Sequence, residues 1–179
     1  MAATGILWMA LSAAPVACPG QEGVREYDVK AAYLFNFAVH VEWPAGAFKD
    51  ARSPILLRVL GKDPFEGRLV DAFKGKMAQE RRVEVEGVKS VEELKPCHIL
   101  FIPDSEKQHL PRALEILKGE SVLIVGETEG LAGRGAILNF VMENNRVRLE
   151  ANTEAAVRSR LKIGAKLLKV ARIVGDSGR

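Results

Sequence analysis

The chain has 179 residues, 47% hydrophobic and 27% charged, with a net charge of +3. That length suits one domain able to bury roughly two thirds of its unfolded surface, and the composition excludes a collagen-like, low-complexity or disulfide-stapled chain. The mild charge does not by itself call for nucleic acid, but it is uneven: from Arg146 to Arg179 nine Lys/Arg stand against three Asp/Glu.

The N-terminus opens with Ile6-Leu7-Trp8-Met9-Ala10-Leu11, then small residues and Cys18-Pro19-Gly20, before turning polar at Gln21-Glu22. The apolar run has the length of a signal-peptide core and is too short to span a bilayer. Residues 1–20 therefore read as a secretory signal peptide, although no Lys or Arg precedes the run. Two other readings compete: a buried first helix, and a lipidation site at Cys18, against which Pro15 stands where a lipobox prefers Leu. Residues 21–179 read as a single domain, and Cys97 is then its lone cysteine.

Glu22 to Val41 reads as a helix. Ala31, Leu34, Phe35, Ala38 and Val41 recur at roughly helical spacing, and Pro44 ends the pattern. Ile55 to Leu60 is a near-continuous apolar run, as in a strand covered on both faces. Asp63-Pro64 predicts a helix start carrying Phe65, Leu69, Val70 and Phe73, stopped by Gly75. Arg82 to Glu86 alternates with period two, as in an edge or half-exposed strand. Ser90-Val91-Glu92-Glu93 has a capping-box pattern. Cys97 to Ile102 is a core strand, Ser105 to Leu117 a helix, and Val122 to Val125 another core strand.

This alternation of strand and helix predicts an α/β fold: a mostly parallel sheet with βα crossovers. Ala136 to Met142 and Val147 to Ala151 add an antiparallel hairpin, and helices at both ends of the chain pack on the sheet. Thr153 to Val174 is predicted as one long closing helix. At helical periodicity it gathers Val157, Leu161, Gly164, Leu168 and Ala171 on an apolar arc, flanked by Ile163, Leu167, Val170 and Val174. Arg158, Lys162, Lys166 and Lys169 fall opposite, on a basic face that is either solvated or offered to an acidic partner.

No stretch assembles a catalytic site. The glycine-rich turn from Gly126 to Gly135 follows a strand but leads into another strand, whereas a phosphate cradle needs a helix N-terminus. His40, His98 and His109 have no local Asp, Glu or Cys at metal spacing. Ser105 lies between strand and helix, but no glycines bracket it as a nucleophile elbow requires, so it reads as an N-cap. A receiver domain fails too, since the acids and lysine it needs at its strand ends are absent. No catalytic residue, metal or cofactor is assigned.

One resemblance runs through most of the chain. Lys30-Ala31-Ala32-Tyr33-Leu34-Phe35-Asn36-Phe37-Ala38 with Val41-Glu42-Trp43-Pro44 resembles the opening motif of the YfiR/HmsC family. Similar matches follow at Val59 to Phe65, Cys97 to Ile102, Val122 to Gly126, Ile137 to Val141 and Leu161 to Arg172. The resemblance implies a periplasmic regulator, not an enzyme. Its partner would be the periplasmic part of a membrane diguanylate cyclase or sensor kinase, with an outer-membrane-associated lipoprotein able to titrate it away. Cyclic-di-GMP level and biofilm formation would follow. A homodimer is implied; nucleic acid is not. The sequence departs from the family pattern where Arg58 stands in place of a cysteine that would pair with Cys97, and Leu131 to Asn139 lacks the cysteines of the better-known member. Partner binding is assigned to Arg158, Lys162, Lys166 and Lys169. The alternative is a small-ligand sensor or carrier whose pocket is lined by Tyr33, Asn36, Phe37 and Trp43, residues that otherwise form an aromatic core cluster.

Overall fold

The computed structural model describes residues 19–177; the expected signal peptide lies almost wholly outside them. The elements, in chain order, are α1 (Pro19–His40), β1 (Val41–Glu42), β2 (Ile55–Leu60), α2 (Arg68–Phe73), β3 (Met77–Ala78), β4 (Arg81–Val88), β5 (Ile99–Ile102), α3 (Leu110–Ile116), β6 (Leu123–Gly126), β7 (Leu138–Glu143), β8 (Arg146–Ala151), α4 (Thr153–Arg158), β9 (Lys162–Ile163), α5 (Ala165–Leu168) and β10 (Ala171–Ile173). Short 3-10 helices lie at Ala45–Ala47, Val91–Glu93, Asp104–His109 and Ala132–Arg134.

Eight strands form one sheet in the order β10-β8-β7-β6-β5-β2-β4-β3. The pairs from β7 through β4 are parallel, and β7–β8 is an antiparallel hairpin. Its turn residues Asn144 and Asn145 have φ of 50° and 56°, the left-handed pair that matches strand twist in a two-residue hairpin. The α/β class, the parallel sheet and the hairpin agree with the sequence reading. The central strands β5 and β6 are apolar throughout, and β2 is so apart from Arg58, because both faces are covered. On one face α1, α2 and α5 pack Leu34, Phe37, Leu69, Phe73 and Leu167 over Leu57, Phe101 and Val125. On the other, α3 and the turn at Val91–Glu93 pack Leu110, Ala113, Leu117 and Val91 over Leu100, Ile102 and Ile124.

Local corrections concern helix starts. Asp63 does accept main-chain N–H bonds, from Phe65 at 2.8 Å and Gly67 at 3.0 Å, but it closes a turn. The helix begins at Arg68 after Gly67, whose φ is +84°. Ser105 is not an N-cap; it lies inside the 3-10 turn that precedes α3.

The larger correction is the end of the chain. Residues 153–174 are not one helix. The chain leaves α4 at Ser159, and Arg160 takes a φ of +57°. Lys162 and Ile163 then pair with Glu42 and Val41 as an antiparallel ribbon. Gly164 is extended, its N–H donates to His40 O at 2.9 Å, and α5 follows. Ala171–Ile173 adds to β8 as a parallel edge strand. Helical propensity is a weak prior, and here strand pairing to residues more than a hundred positions away overrides it. Val157, placed on the apolar arc by periodicity, is 74% exposed, and Val170 is 58% exposed.

Candidate functional site

The basic residues assigned to partner binding do not share a helix face. Arg158, at the end of α4, pairs with Asp176 at 2.8 Å. Lys162, on β9, pairs with Glu42 at 3.1 Å across the ribbon. Lys166 and Lys169, in and after α5, are exposed and make no ion pair among the described residues. The charge is therefore spread along the C-terminal segment, with two of four cations already engaged.

The aromatic residues assigned to a ligand pocket separate as well. Phe37 is fully buried and stacks on Phe140 at 5.7 Å, with Tyr33 5.8 Å from the same ring. Asn36, also on α1, is exposed. Trp43 belongs to another cluster, with Phe48 at 6.4 Å and His98 at 6.1 Å, and its indole N–H donates to His98 O at 3.3 Å. None of the four lines the cavities described below.

What the fold does bring together lies at the carboxyl ends of the strands. The chain runs from β2 outward to β4, then returns to β5 and continues toward β7, so neighbouring β2 and β5 diverge in their connections. Such a switch point is where open α/β sheets place ligands. Here it is filled by side chains. Glu127, directly after β6, has a side chain only 4% exposed. Its Oε2 accepts from Lys30 Nζ at 2.7 Å and its Oε1 from Tyr27 OH at 3.1 Å and Asp104 N at 3.0 Å. Lys30 also pairs with Glu26 one turn back. Burial, then the Glu127 carboxylate, pushes the Tyr27 hydroxyl well above the ordinary tyrosine range. Across Gly61, a Cβ would lie 2.4 Å from the Glu106 carboxylate, so that approach is filled too. Both Glu127 oxygens thus accept hydrogen bonds, and Tyr27 is held protonated. Its work is to clamp α1 to the sheet.

The sequence reading missed this clamp. Its signal was an acid placed immediately after a wholly buried strand, together with a lysine on the apolar side of an amphipathic helix. Gly126 shows why the turn is glycine-rich: a Cβ there would meet Leu131 Cδ2 at 2.3 Å and Asn139 Oδ1 at 2.8 Å.

Arg58, where the resemblance leads one to expect cysteine, is nearly buried. It donates to Glu86 at 2.9 and 3.0 Å and to Lys95 O at 2.6 Å. Cys97 is a buried free thiol, pushed up to about 12 chiefly by burial. His98 accepts from Leu56 N at its Nδ1 (3.0 Å), and its Nε2 lies 3.1 Å from Ala47 O, which makes Nε2 the protonated nitrogen. Burial holds its pKa below the usual histidine range.

Three concave regions stand out. A cavity of ≈ 620 Å³ lies between α3 and the C-terminal segment, lined by apolar Leu114, Leu117 and Val122 and by charges of both signs, Lys118, Arg134 and Arg158 with Glu120 and Asp176. A groove of ≈ 820 Å³ runs between α2 and β4, and a cavity of ≈ 280 Å³ adjoins Cys97 and His98.

The profile of the YfiR/HmsC-like family matches residues 27–172, most of the chain. The chain belongs to the YfiR/HmsC-like family. A comparison with curated protein sequences finds no match. Among solved structures, this YfiR/HmsC-like chain is similar to the "ABC domain in complex with L-Trp" from Streptococcus pneumoniae. The TM-score is 0.51 at 12% identity, covering 86% of this chain and 60% of that one. It also matches a conserved domain protein from Vibrio cholerae, with a TM-score of 0.46 at 11% identity, covering 66% of this chain and 54% of that one. The chain thus spans well under two thirds of either structure's length, and at such identity the first likeness shows the fold alone. Among the described residues no helix is long and apolar enough to cross a membrane. Family membership is consistent with a periplasmic regulator. The buried motif residues Lys30, Phe37 and Asn139 explain the motifs by packing: they fix α1 and the turn at the end of β6.

Proposed function

We propose that this protein is a periplasmic, non-enzymatic regulator that binds and inhibits a membrane-bound signalling protein, either a diguanylate cyclase or a sensor kinase. The observation that carries this reading is the YfiR/HmsC-like match over residues 27–172. The N-terminal apolar run supports export, and the fully engaged polar cluster at the switch point supports a binding role over a catalytic one. In mechanism, the regulator holds the sensor's inactive state in preference to its active one, and the population shifts by that difference in affinity. Cyclic-di-GMP level and biofilm formation are the outputs, and an outer-membrane-associated lipoprotein would compete for the regulator. Lys166 and Lys169, exposed and without ion pairs among the described residues, are the first cations to reverse in a search for the contact. Deleting the gene and measuring cyclic-di-GMP and surface attachment tests the proposal. A rise in both supports inhibition; no change in either, in a strain that makes the protein, sinks it.

A second reading, a small-ligand sensor or carrier, is favoured by the ≈ 620 Å³ cavity with its mixed apolar and charged lining. A thermal-shift screen separates the two, because a ligand that binds only the folded state raises Tm.

A further inference from the structure

The walls of the ≈ 620 Å³ cavity are anchored unequally. One wall is α3 and the turn after it, and α3 sends Leu110 and Ala113, with Leu117 behind them, into the core. A second is the end of α4, which buries Ala155 and Ala156. The third is the segment after β10, where Asp176 and Ser177 line the cavity. Residues 174–177 contribute no side chain to either core cluster. Val174 and Asp176 are half-buried, and Gly175 and Ser177 are exposed.

Polar bonds hold this segment in place. The Asp176 carboxylate pairs with Arg158 at 2.8 Å and accepts from Asn152 Nδ2 at 2.7 Å. Ser177 N–H donates to Gly133 O at 2.6 Å, and Val174 N–H donates to Ala151 O at 3.0 Å. The seat is built for it. Asn152 is wholly buried, its Oδ1 accepts from Ala155 N, and its Nδ2 also donates to Ala132 O. Gly133 leaves room, since a Cβ there would collide with Ser177 Oγ. A segment held by polar bonds without buried apolar contacts belongs to the low end of local stability, from which moving elements are drawn.

The lining decides the occupant. Its charges are Lys118, Arg134 and Arg158 against Glu120 and Asp176, and Arg158 and Asp176 satisfy each other. Charge therefore selects neither an anion nor a cation. The remaining surface is apolar: Leu117, Val122 and Ile124 line the cavity and are all buried. The volume lies within the range of about 300–1,000 Å³ of small-molecule pockets.

We propose that residues 174–177 form a strap that opens and closes over this cavity, latched by Asp176 on Arg158 and Asn152, and that the open strap admits a small, uncharged, mainly apolar molecule onto Leu117, Val122 and Ile124. Apparent affinity then scales with the open fraction, so whatever unlatches Asp176 loads the cavity. The inference rests on the small-ligand reading only in giving the cavity a physiological occupant.

The test titrates the full chain with N-phenyl-1-naphthylamine, a neutral apolar dye. Asp176→Ala binds the dye about tenfold more tightly, the population shift expected when a charge-assisted hydrogen bond is lost. Amide exchange at Val174 and Ser177 quickens in that variant while α3 is unchanged. Adding Leu114→Trp, which narrows the cavity, removes the dye. A lock gives the converse. Ser177 Cβ lies 3.1 Å from a Cβ placed at Gly133, just under the ~3.5–4.5 Å of a disulfide. Gly133→Cys with Ser177→Cys excludes the dye when oxidised and admits it when reduced. Equal dye binding by the parent and Asp176→Ala, unchanged exchange at Val174 and Ser177, or a dye that survives Leu114→Trp each overturn the proposal, even where the cysteine pair fails to fold. A compound from the thermal-shift screen that raises Tm equally in the oxidised and reduced cysteine variant overturns the strap and leaves the small-ligand reading standing. A dye gated as described, with no screened compound raising Tm, supports the strap and removes that reading.

Discussion

Lys30 and Glu127 meet at 2.7 Å with both side chains only 4% exposed, joining residues 97 positions apart. The pair fixes the N-terminal helix over the carboxyl end of the sheet, and two further donors support it: the Tyr27 hydroxyl and the Asp104 amide both donate to the other carboxylate oxygen. Removing one partner strands a buried charge. Lys30→Met or Glu127→Leu alone should destabilise by about 3 kcal/mol or more, while the double substitution should recover much of that loss. Urea midpoints of the three variants against the parent check this; a double variant no better than the singles would be the contrary result.

Gly164 is required by space and not by its backbone angles. Its φ of −63° and ψ of 145° suit any residue, but a Cβ would lie 2.5 Å from His40 O. That oxygen is main chain and already accepts the Gly164 N–H, so it cannot yield without breaking the β1–β9 ribbon. Gly164→Ala should cost about 1–3 kcal/mol, the range for an overpacked contact. Chemical denaturation reads the cost, and faster amide exchange confined to residues 161–168 would locate it.

His98 makes stability fall toward acid. It is folded neutral, with Nδ1 accepting from Leu56 N, and burial lowers its pKa in the native state. The unfolded chain then binds the proton first. The contribution is fully present above the unfolded histidine value, about 6.5, and is lost as pH falls below it toward the folded value, at up to about 1.4 kcal/mol per pH unit. Unfolding free energies between pH 7.5 and pH 5 for the parent and His98→Gln isolate this slope. Parallel curves would show that His98 does not titrate as stated.

Cys97 should behave as an inert thiol. Burial both hides it and pushes it up to about 12, so almost no thiolate exists near neutrality. Labelling with a disulfide reagent should be slow in buffer, rapid in urea, and should track the global unfolding transition. Rapid labelling of the folded protein would contradict this.

The sequence by itself determined what depends on near neighbours. Ile55 to Leu60, Ile99 to Ile102 and Leu123 to Val125 are apolar on both faces, and only a covered parallel sheet satisfies such runs. The hairpin over 138–151, the helix over the Tyr33–Phe37 motif and the stops at Gly75 and Gly119 are likewise local: period, turn chemistry and left-handed φ at glycine. The family, too, was legible, because its motifs are these core segments in order. The tertiary structure decided what depends on distant partners. The segment after Asn152 has the residues of an amphipathic helix, yet Val41 and Glu42 capture Ile163 and Lys162 as a strand, and β8 captures Ala171 to Ile173. Gly164 inside the periodic pattern was the one local warning. The basic face assigned to that helix dissolved with it, since a face exists only while its residues share one axis. The Lys30–Glu127 clamp was invisible for the same reason, whereas the alternation of Arg82 to Glu86 did mark an edge or half-exposed strand. A charge becomes buried only through strands and helices that lie far away in the chain.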